Sequence, residues 1–315
     1  MLLILTTSTD VTADYLEKRL NDAGVPLIRL DTDTCTEHLR VHYTHDRSPS
    51  LRIGDHVLRP VDVTDVWLRR PKEIRVAIEG DPTERAHVAN EWGEAVEGFL
   101  AHVPVDRWMN HPIRNVVASH KLEQLTRAHR FGLTIPATLV TQERDELETF
   151  WRTTHGRVIA KPLFSGYLER PNGSVASVYT NRVGEEQLSS GAIDACPTLF
   201  QEEIAKCFDV RVTVVDERLT AVAMRRSIAG AQILDVRRDN MEGVEYEVIP
   251  MPRDTETQLR TLLHSYGLRF AAIDFAVTSD GSWVFFEINP NGQWAWLDLD
   301  GVTAIWKDFV HAFRS

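Results

Sequence analysis

FAAIDFAVTSDGSWVFFEINPNG, residues 270–292, is the stretch whose reading decides the fold. Two apolar runs flank Ser279-Asp280-Gly281-Ser282, and an Asp-Gly pair between such runs signals a β-hairpin. With Asp280 and Gly281 as a two-residue turn, Ile273 faces Ile288, Phe275 faces Phe286 and Val277 faces Val284, giving an unbroken apolar face. The opposite face then sets Asp274 directly across from Glu287, with Asn289 pointing the same way. Like charges directly opposite on a sheet are destabilising, so this pair needs an offsetting cation. Two carboxylates and an amide oxygen form a hard oxygen site of the kind that takes Mg²⁺ beside phosphates. A Lys or Arg arriving from elsewhere in the fold is the competing reading.

The chain has 315 residues, which suggests roughly two or three packed subdomains. Its 43% hydrophobic and 26% charged content is that of an ordinary globular protein. No apolar run approaches the length needed to span a bilayer, and MLLILTTSTD reads as a first buried strand rather than a signal sequence. Cys35, Cys196 and Cys207 are scattered without metal-ligand spacing, as expected of free thiols in a reducing cytoplasm. A net charge of −11 argues against a general nucleic-acid binder.

Outward from the hairpin, the chain starts as an open α/β sheet. Leu2 to Thr6 reads as a strand, Val11 to Ala23 as a helix capped by Asp10, and Pro26 to Leu30 as a second strand. No Gly-x-Gly-x-x-Gly turn follows the first strand, so a dinucleotide role is unsupported there. Short strands are expected from Leu39 to Arg69, helices over 82–101 and 114–130, and strands at Ala137 to Thr141 and Arg157 to Lys161 around a helix near 143–153. Residues 164–174 form a Gly-, Pro- and Ser-containing loop. From 198 onward strands dominate, closed by helical patterns at 254–266 and 302–313.

Lys161 ends an apolar strand and could project toward phosphates beneath the following loop, where Ser165, Gly166 and Gly173 allow close backbone approach. Lys121 sits in a helix beside the apolar stripe of Leu122, Leu125 and Ala128. Alone, each lysine reads first as a solvated surface residue, and its value comes only from the combination. In Phe200-Gln201-Glu202-Glu203-Ile204 an apolar strand runs into consecutive acids, suiting a sheet edge that pairs with an adenine while an acid accepts ribose hydroxyls. Asp209 and Arg211 share a strand face, Arg225 lies on the next strand and Arg237 follows Asp235. Each arginine suits planar recognition of phosphate or carboxylate; ion pairs of Asp209 with Arg211 and of Asp235 with Arg237 are the alternative.

Lys121 in SHKLEQLTRAHRFGLTIPATLVT, Lys161 in VIAKP, the QEEI segment, DVRVTVV, and Asp274 with Glu287-Ile-Asn289-Pro together resemble the ATP-grasp fold. That resemblance implies an N-terminal open α/β pre-grasp domain (1–113). Central (114–197) and C-terminal (198–315) α+β subdomains then enclose ATP. It also implies phosphate contacts from Lys121 and Lys161, nucleotide contacts from Ser165, Gly166, Gln201, Glu202, Glu203, Ile204 and Asp209, and two Mg²⁺ ions on Asp274, Glu287 and Asn289. More narrowly, VWLRRP (66–71), WMNHP (108–112) and EINPNGQWAWLD (287–298) are similar to the ATP-grasp ribosomal peptide maturases, the graspetide or microviridin-type macrocyclases. The sequence departs from that pattern at Phe208-Asp209, where a Glu is expected, and at DVRRDN (235–240), where Asp-Trp-Arg is expected.

What the resemblance implies is a ligase that activates a side-chain carboxylate of a precursor peptide as an acyl phosphate. A Ser/Thr hydroxyl or Lys amine then closes an ω-ester or ω-amide ring. Arg211 and Arg225 are the candidates for holding the γ-phosphate and the developing oxyanion. Trp67, Arg69, Arg70, Arg237, Gln293 and Trp294 are candidates for contacting an acidic peptide made of leader and core. A small-molecule or protein-tail carboxylate–amine ligase and a non-catalytic peptide-binding scaffold are the alternatives. The partner set includes no nucleic acid and no membrane, and a C₂ homodimer is the commonest assembly. An acyl phosphate must be kept from water, so the 164–174 loop is expected to act as a lid. Bulky residues at Gly166 or Gly173 should then raise ADP release without matching product; tight coupling in such variants would sink the lid.

Overall fold

The computed structural model describes residues 1–164, 167–170, 174–188, 193–226 and 243–314. The chain begins with β1 (Leu2–Thr6), α1 (Val11–Asp22), β2 (Leu27–Asp31), β3 (Leu39–Thr44), β4 (Arg47–Ile53), β5 (His56–Leu58), β6 (Asp65–Leu68), α2 (Pro82–Leu100) and β7 (Trp108–Met109). Strands β2-β1-β6-β7 form a parallel sheet in that order, and β3-β4-β5 form a separate antiparallel sheet. The Asp10 carboxylate accepts from the Thr12 and Ala13 amides, so α1 starts where sequence places it. Its stripe of Ala13, Leu16 and Leu20 is buried.

The expected 114–130 helix is two helices, α3 (Pro112–Ala118) and α4 (Lys121–Arg130), broken at His120. Lys121 is therefore the first residue of α4 rather than an interior position. Next come β8 (Thr138–Thr141), α5 (Arg144–Thr153), β9 (Val158–Lys161), β10 (Tyr167–Glu169), β11 (Val175–Ser177), β12 (Asn181–Arg182), α6 (Glu185–Leu188) and β13 (Thr198–Glu202). Their main sheet runs β12-β9-β13-β8, with α5 and α6 packed on it through Leu147, Val158, Leu188 and Phe200.

The last part holds β14 (Lys206–Val215), β15 (Arg218–Arg226), β16 (Val244–Ile249), α7 (Arg253–Tyr266), β17 (Phe270–Thr278), β18 (Trp283–Asn289), α8 (Ala295–Leu299) and α9 (Trp306–Arg314). Its five strands form an antiparallel sheet in the order β16-β15-β14-β17-β18. One face, carrying Val210, Val212, Ile273 and Phe275, packs on α7 through Leu259 and Leu262. Helices α3 and α4 also pack against α7 and β18. At one end of the opposite face, Val215, Val222 and Phe270 share a core with Trp67 of β6, Trp294 and Phe309 of α9. The other end of that face carries Asp209, Arg211, Asp274 and Glu287.

The hairpin register departs from expectation twice, and the departures cancel. The Thr278 amide donates to Ser282 O and the Gly281 amide to Thr278 O, giving a three-residue loop with Gly281 at φ +82°. Phe275 consequently faces Phe285, not Phe286, and Val277 faces Trp283, not Val284. A bulge between Asp274 and Phe275 then restores the pairing, so Asp274 does face Glu287 and Ile273 does face Ile288. The extra residue is Phe286, and the bulge brings it beneath the Lys161 ammonium, 4.4 Å from the ring centre.

Trp294, expected at the peptide, is instead fully buried (0% exposed) and stacked on Phe309 with ring centres 4.7 Å apart. Trp296 is the partly exposed member of the pair, against Tyr246. Trp294→Ala should therefore cost about 3–5 kcal/mol of stability in urea unfolding, with most of it regained in Trp294→Phe. A loss below about 1 kcal/mol would contradict this packing.

Candidate active site

Four cations and three carboxylates converge where the open end of the C-terminal sheet meets the end of β9. Arg211 lies directly across the ladder from Asp274, and Nη1 is 3.0 Å from Asp274 Oδ1. Lys121 Nζ donates to Pro162 O at 2.9 Å and stands 3.4 Å from Glu287 Oε2. Asn289 Nδ2 is 3.3 Å from Glu287 Oε1, on the same face. Lys206 Nζ bonds both oxygens of Asp209 at 2.8 Å. Desolvation, reinforced by Lys121 and Lys206, pushes the Lys161 amine down to about 8, against the pull of Glu287 and Asp274.

The competing reading of the facing carboxylates is thus realised in this structure, since Arg211 offsets Asp274 and Lys121 offsets Glu287. The metal reading of the same oxygens stands beside it as an expectation. Among the described residues, no cluster of three His, Cys, Asp or Glu side chains is placed to hold a metal. A cation here would draw on Asp274, Glu287, the Asn289 amide oxygen and oxygens of a bound ligand, the donor pattern of Mg²⁺. Arg211 Nε is buried without a hydrogen-bond partner, and Nη1, for all its proximity to Asp274, makes no hydrogen bond either. An oxyanion docked on this face would satisfy both.

Other expected residues fall differently. The QEEI strand is not an edge, because β13 lies between β8 and β9. Gln201 is buried, and only Glu203 to Ala205 pass beyond the sheet. Glu202 pairs with Arg157 at 2.6 Å and Glu203 with Arg182 at 2.6 Å, so both acids already hold arginines. Asp209 pairs with Lys206, not with Arg211. Arg225 shares its strand face with Ala221 of the α7-side core, stacks 4.1 Å over Phe208 and pairs with Glu247 at 2.9 Å. That separates it from Arg211, and strand alternation places Arg226 on the Asp274 face instead. Ser165, Gly166, Gly173 and Arg237 lie outside the described residues.

Trp67 and Arg69, expected at the peptide, are each 1% exposed and cannot reach a bound chain from there. Arg69 instead holds the loop after the hairpin. Its Nη1 donates to Asn291 O at 2.5 Å and its Nη2 to Gln293 Oε1 at 2.6 Å. Burial beside Arg70 pushes this guanidinium down to about 10, leaving it charged at neutral pH. Gln293 Oε1 also accepts from Thr12 Oγ1 at 2.6 Å. Among the described members of this set Arg70 alone is exposed, reaching Asn291 O at 3.3 Å. The loop is close-packed, and a Cβ at Gly292 would stand 2.3 Å from Ala272 Cβ.

Three residues without an assigned role belong to this neighbourhood. Lys206 completes the cation set. Asn110 bridges Arg269 N, Phe270 N, Phe270 O and Pro290 O. Gln124, on the Lys121 helix, reaches the backbone of Ile288. Buried amides carry no charge or spacing signal, so only the WMNHP motif hinted at one of them. A separate groove of about 580 Å³ lies between α4 and β8, lined by Leu122, Leu125, Ile135 and Val140, and holds none of these lysines or carboxylates.

With the Lys161 amine pushed down to about 8, a phosphate-bearing ligand that meets this lysine, as the sequence leads us to expect, should bind well at pH below that value. Affinity should fall as pH rises through that value. The log of kcat/KM for ATP should therefore bend down near pH 8, and Lys161→Arg should move the bend to higher pH. A profile that stays flat well above pH 8 in the wild type would contradict this assignment.

Residues 1–116 match the sequence model of the MvdD pre-ATP grasp domain. A search of curated proteins gives no match. Among solved structures, the chain is similar to macrocyclase MdnC bound with precursor peptide MdnA from Microcystis aeruginosa MRC, at 26% identity and TM-score 0.83, covering 99% of each chain. It is similar to the Chryseobacterium gregarium RiPP-associated ATP-grasp ligase in complex with ADP and a leader and core peptide, at 26% identity and TM-score 0.86, covering 99% of this chain and 96% of that one. Macrocyclase MdnB from Microcystis aeruginosa MRC matches at 28% identity and TM-score 0.78, covering 99% of this chain and 98% of that one. With residues 1–116 matching the pre-ATP grasp model and these likenesses along its whole length, the chain has the ATP-grasp fold and is similar to the macrocyclases of ribosomal peptides.

Proposed function

We propose that this chain is an ATP-dependent ligase that condenses side chains of a ribosomal precursor peptide into ω-ester or ω-amide rings. The observation that carries the reading is the open sheet face where Asp274, Glu287 and Asn289 meet Lys121, Lys161 and Arg211. A binding scaffold has no use for interleaved acids and bases at a partly desolvated face, whereas phosphoryl transfer needs both. The likeness to an ADP- and peptide-bound ligase supports the same substrates here.

Lys121 and Lys161 bind and orient the ATP phosphates, and Arg211 holds the transferring phosphoryl group and the oxyanion. Asp274, Glu287 and Asn289 hold Mg²⁺, in our reading two ions, which neutralise phosphate charge when bound. The peptide carboxylate attacks the γ-phosphorus, ADP leaves, and a hydroxyl or amine of the same peptide displaces phosphate from the acyl phosphate. Each ring thus removes one water from the peptide. Arg70 and Gln293 lie beside the loop that follows the metal ligands, and they serve as contacts for an acidic core. A cytoplasmic location, a C₂ dimer and subdomain limits at 113/114 and 197/198 belong to the same proposal. Among the described residues, no helix is long and apolar enough to cross a membrane.

Incubating the protein with ATP, Mg²⁺ and an acidic precursor peptide should give mass losses in steps of one water. These should vanish in Glu287→Ala and persist in the surface variant Arg85→Ala. A mass gain equal to an added amino acid would move the activity to a tail ligase. ADP formed only with free acids and amines would make it a small-molecule ligase, and no ADP under any condition would leave a scaffold.

A further inference from the structure

β18 is the outer strand of its sheet, so one row of its backbone groups has no strand to pair with. Two devices cover that row. Thr134 forms a short parallel bridge, its carbonyl accepting from the Phe285 amide at 2.8 Å. Three residues on, a side chain takes over. Gln124 Oε1 accepts from the Ile288 amide at 2.8 Å, and Gln124 Nε2 donates to Ile288 O at 2.9 Å. The second Nε2 hydrogen goes to Ala118 O at the end of α3. Gln124 is 1% exposed, and its amide behaves as the peptide group of a missing neighbouring strand. A flipped amide would set its NH₂ against the Ile288 N–H and its oxygen against two carbonyls, so the orientation is fixed by the partners.

Ile288 lies between Glu287 and Asn289, which point to the opposite face. Lys121 lies one helical turn before Gln124 on α4, with Nζ 3.4 Å from Glu287 Oε2. One buried amide therefore ties the helix of a phosphate lysine to the strand of two metal-binding side chains. Leu125 and Ala128 fasten the helix to the core, but apolar contacts allow sliding that a two-point hydrogen-bonded pair does not.

We infer that Gln124 is a positioning residue of the metal–nucleotide site: its amide locks the Ile288 backbone, and with it Glu287 and Asn289, at a fixed offset from Lys121. This rests on the metal role proposed for Glu287 and Asn289. Partners that orient metal ligands typically alter metal affinity by about ten- to a hundredfold when removed.

Gln124→Met keeps length and helix propensity but makes no hydrogen bond to Ile288. Gln124→Glu keeps the acceptor and loses both donors. Leu125→Val loosens the same helix without touching Ile288. The readouts are the Mg²⁺ midpoint for binding to the ADP-bound protein, followed by calorimetry, and the Mg²⁺ midpoint for ADP formation with saturating ATP and peptide, alongside the KM for peptide. In Gln124→Met both Mg²⁺ midpoints should rise about tenfold or more while the peptide KM holds and high Mg²⁺ restores much of the rate. Gln124→Glu should rise in the same direction, and Leu125→Val should leave both midpoints unchanged. A midpoint within about twofold of wild type in folded Gln124→Met or Gln124→Glu would overturn the inference. So would an equal shift in Leu125→Val. Wild-type protein with no Mg²⁺-dependent ADP formation would instead overturn the proposed function, and this inference with it.

Discussion

Two carboxylates facing each other across one rung of an antiparallel ladder are unfavourable unless cations lie close by. That constraint organises this molecule. Arg211 answers Asp274 from the neighbouring strand, Lys121 answers Glu287 from a helix terminus, and Lys161 comes from the sheet opposite. Three parts of the chain far apart in sequence are thus drawn to one rung. The cost of gathering like charges is offset only while all of them are in place. On the proposed function, such a cluster would exchange partners when a polyanion and a metal arrive, the lysines moving to phosphate as the carboxylates take the cation.

Holding that rung falls to groups without charge or behind it. Gln124 fixes the edge of β18, Asn110 ties Phe270 to Pro290 across the base of the hairpin, and Arg69 pins the following loop. Arg69 and Thr12 belong to the N-terminal part, so the loop after β18 is shaped by residues from the other end of the chain. The shared core of Trp67, Trp294 and Phe309 makes the same connection through packing. The N-terminal part therefore buttresses the site whether or not it also meets a peptide.

Much of this was legible in the sequence, and the exceptions are instructive. The Asp274–Glu287 rung was read from a two-residue Asp280-Gly281 turn, and it appears only because a three-residue loop and a bulge at Phe286 cancel. Turn length and bulges depend on packing and leave no trace in a period-two pattern. The Asp10 capping signal placed the start of α1 correctly, because a cap acts within one turn of itself. Arg69, Trp67 and Trp294 were misplaced because a conspicuous polar or aromatic residue says nothing of which side of a loop it faces. Arg225 failed for a related reason, since face parity along β15 is set by pairing with β14 and β16. Gln124 was invisible, as its role exists only once α4 lies along the edge of β18.

The most direct test of the central claim is Mn²⁺ titration followed by electron paramagnetic resonance, with and without ADP, on wild type and Asp274→Asn. If the hairpin face holds the metal beside phosphate, wild type should bind Mn²⁺ tightly only when ADP is present. The substitution should abolish that binding while leaving the protein folded. ADP-dependent Mn²⁺ binding that survives unchanged in Asp274→Asn would contradict it, placing the metal elsewhere.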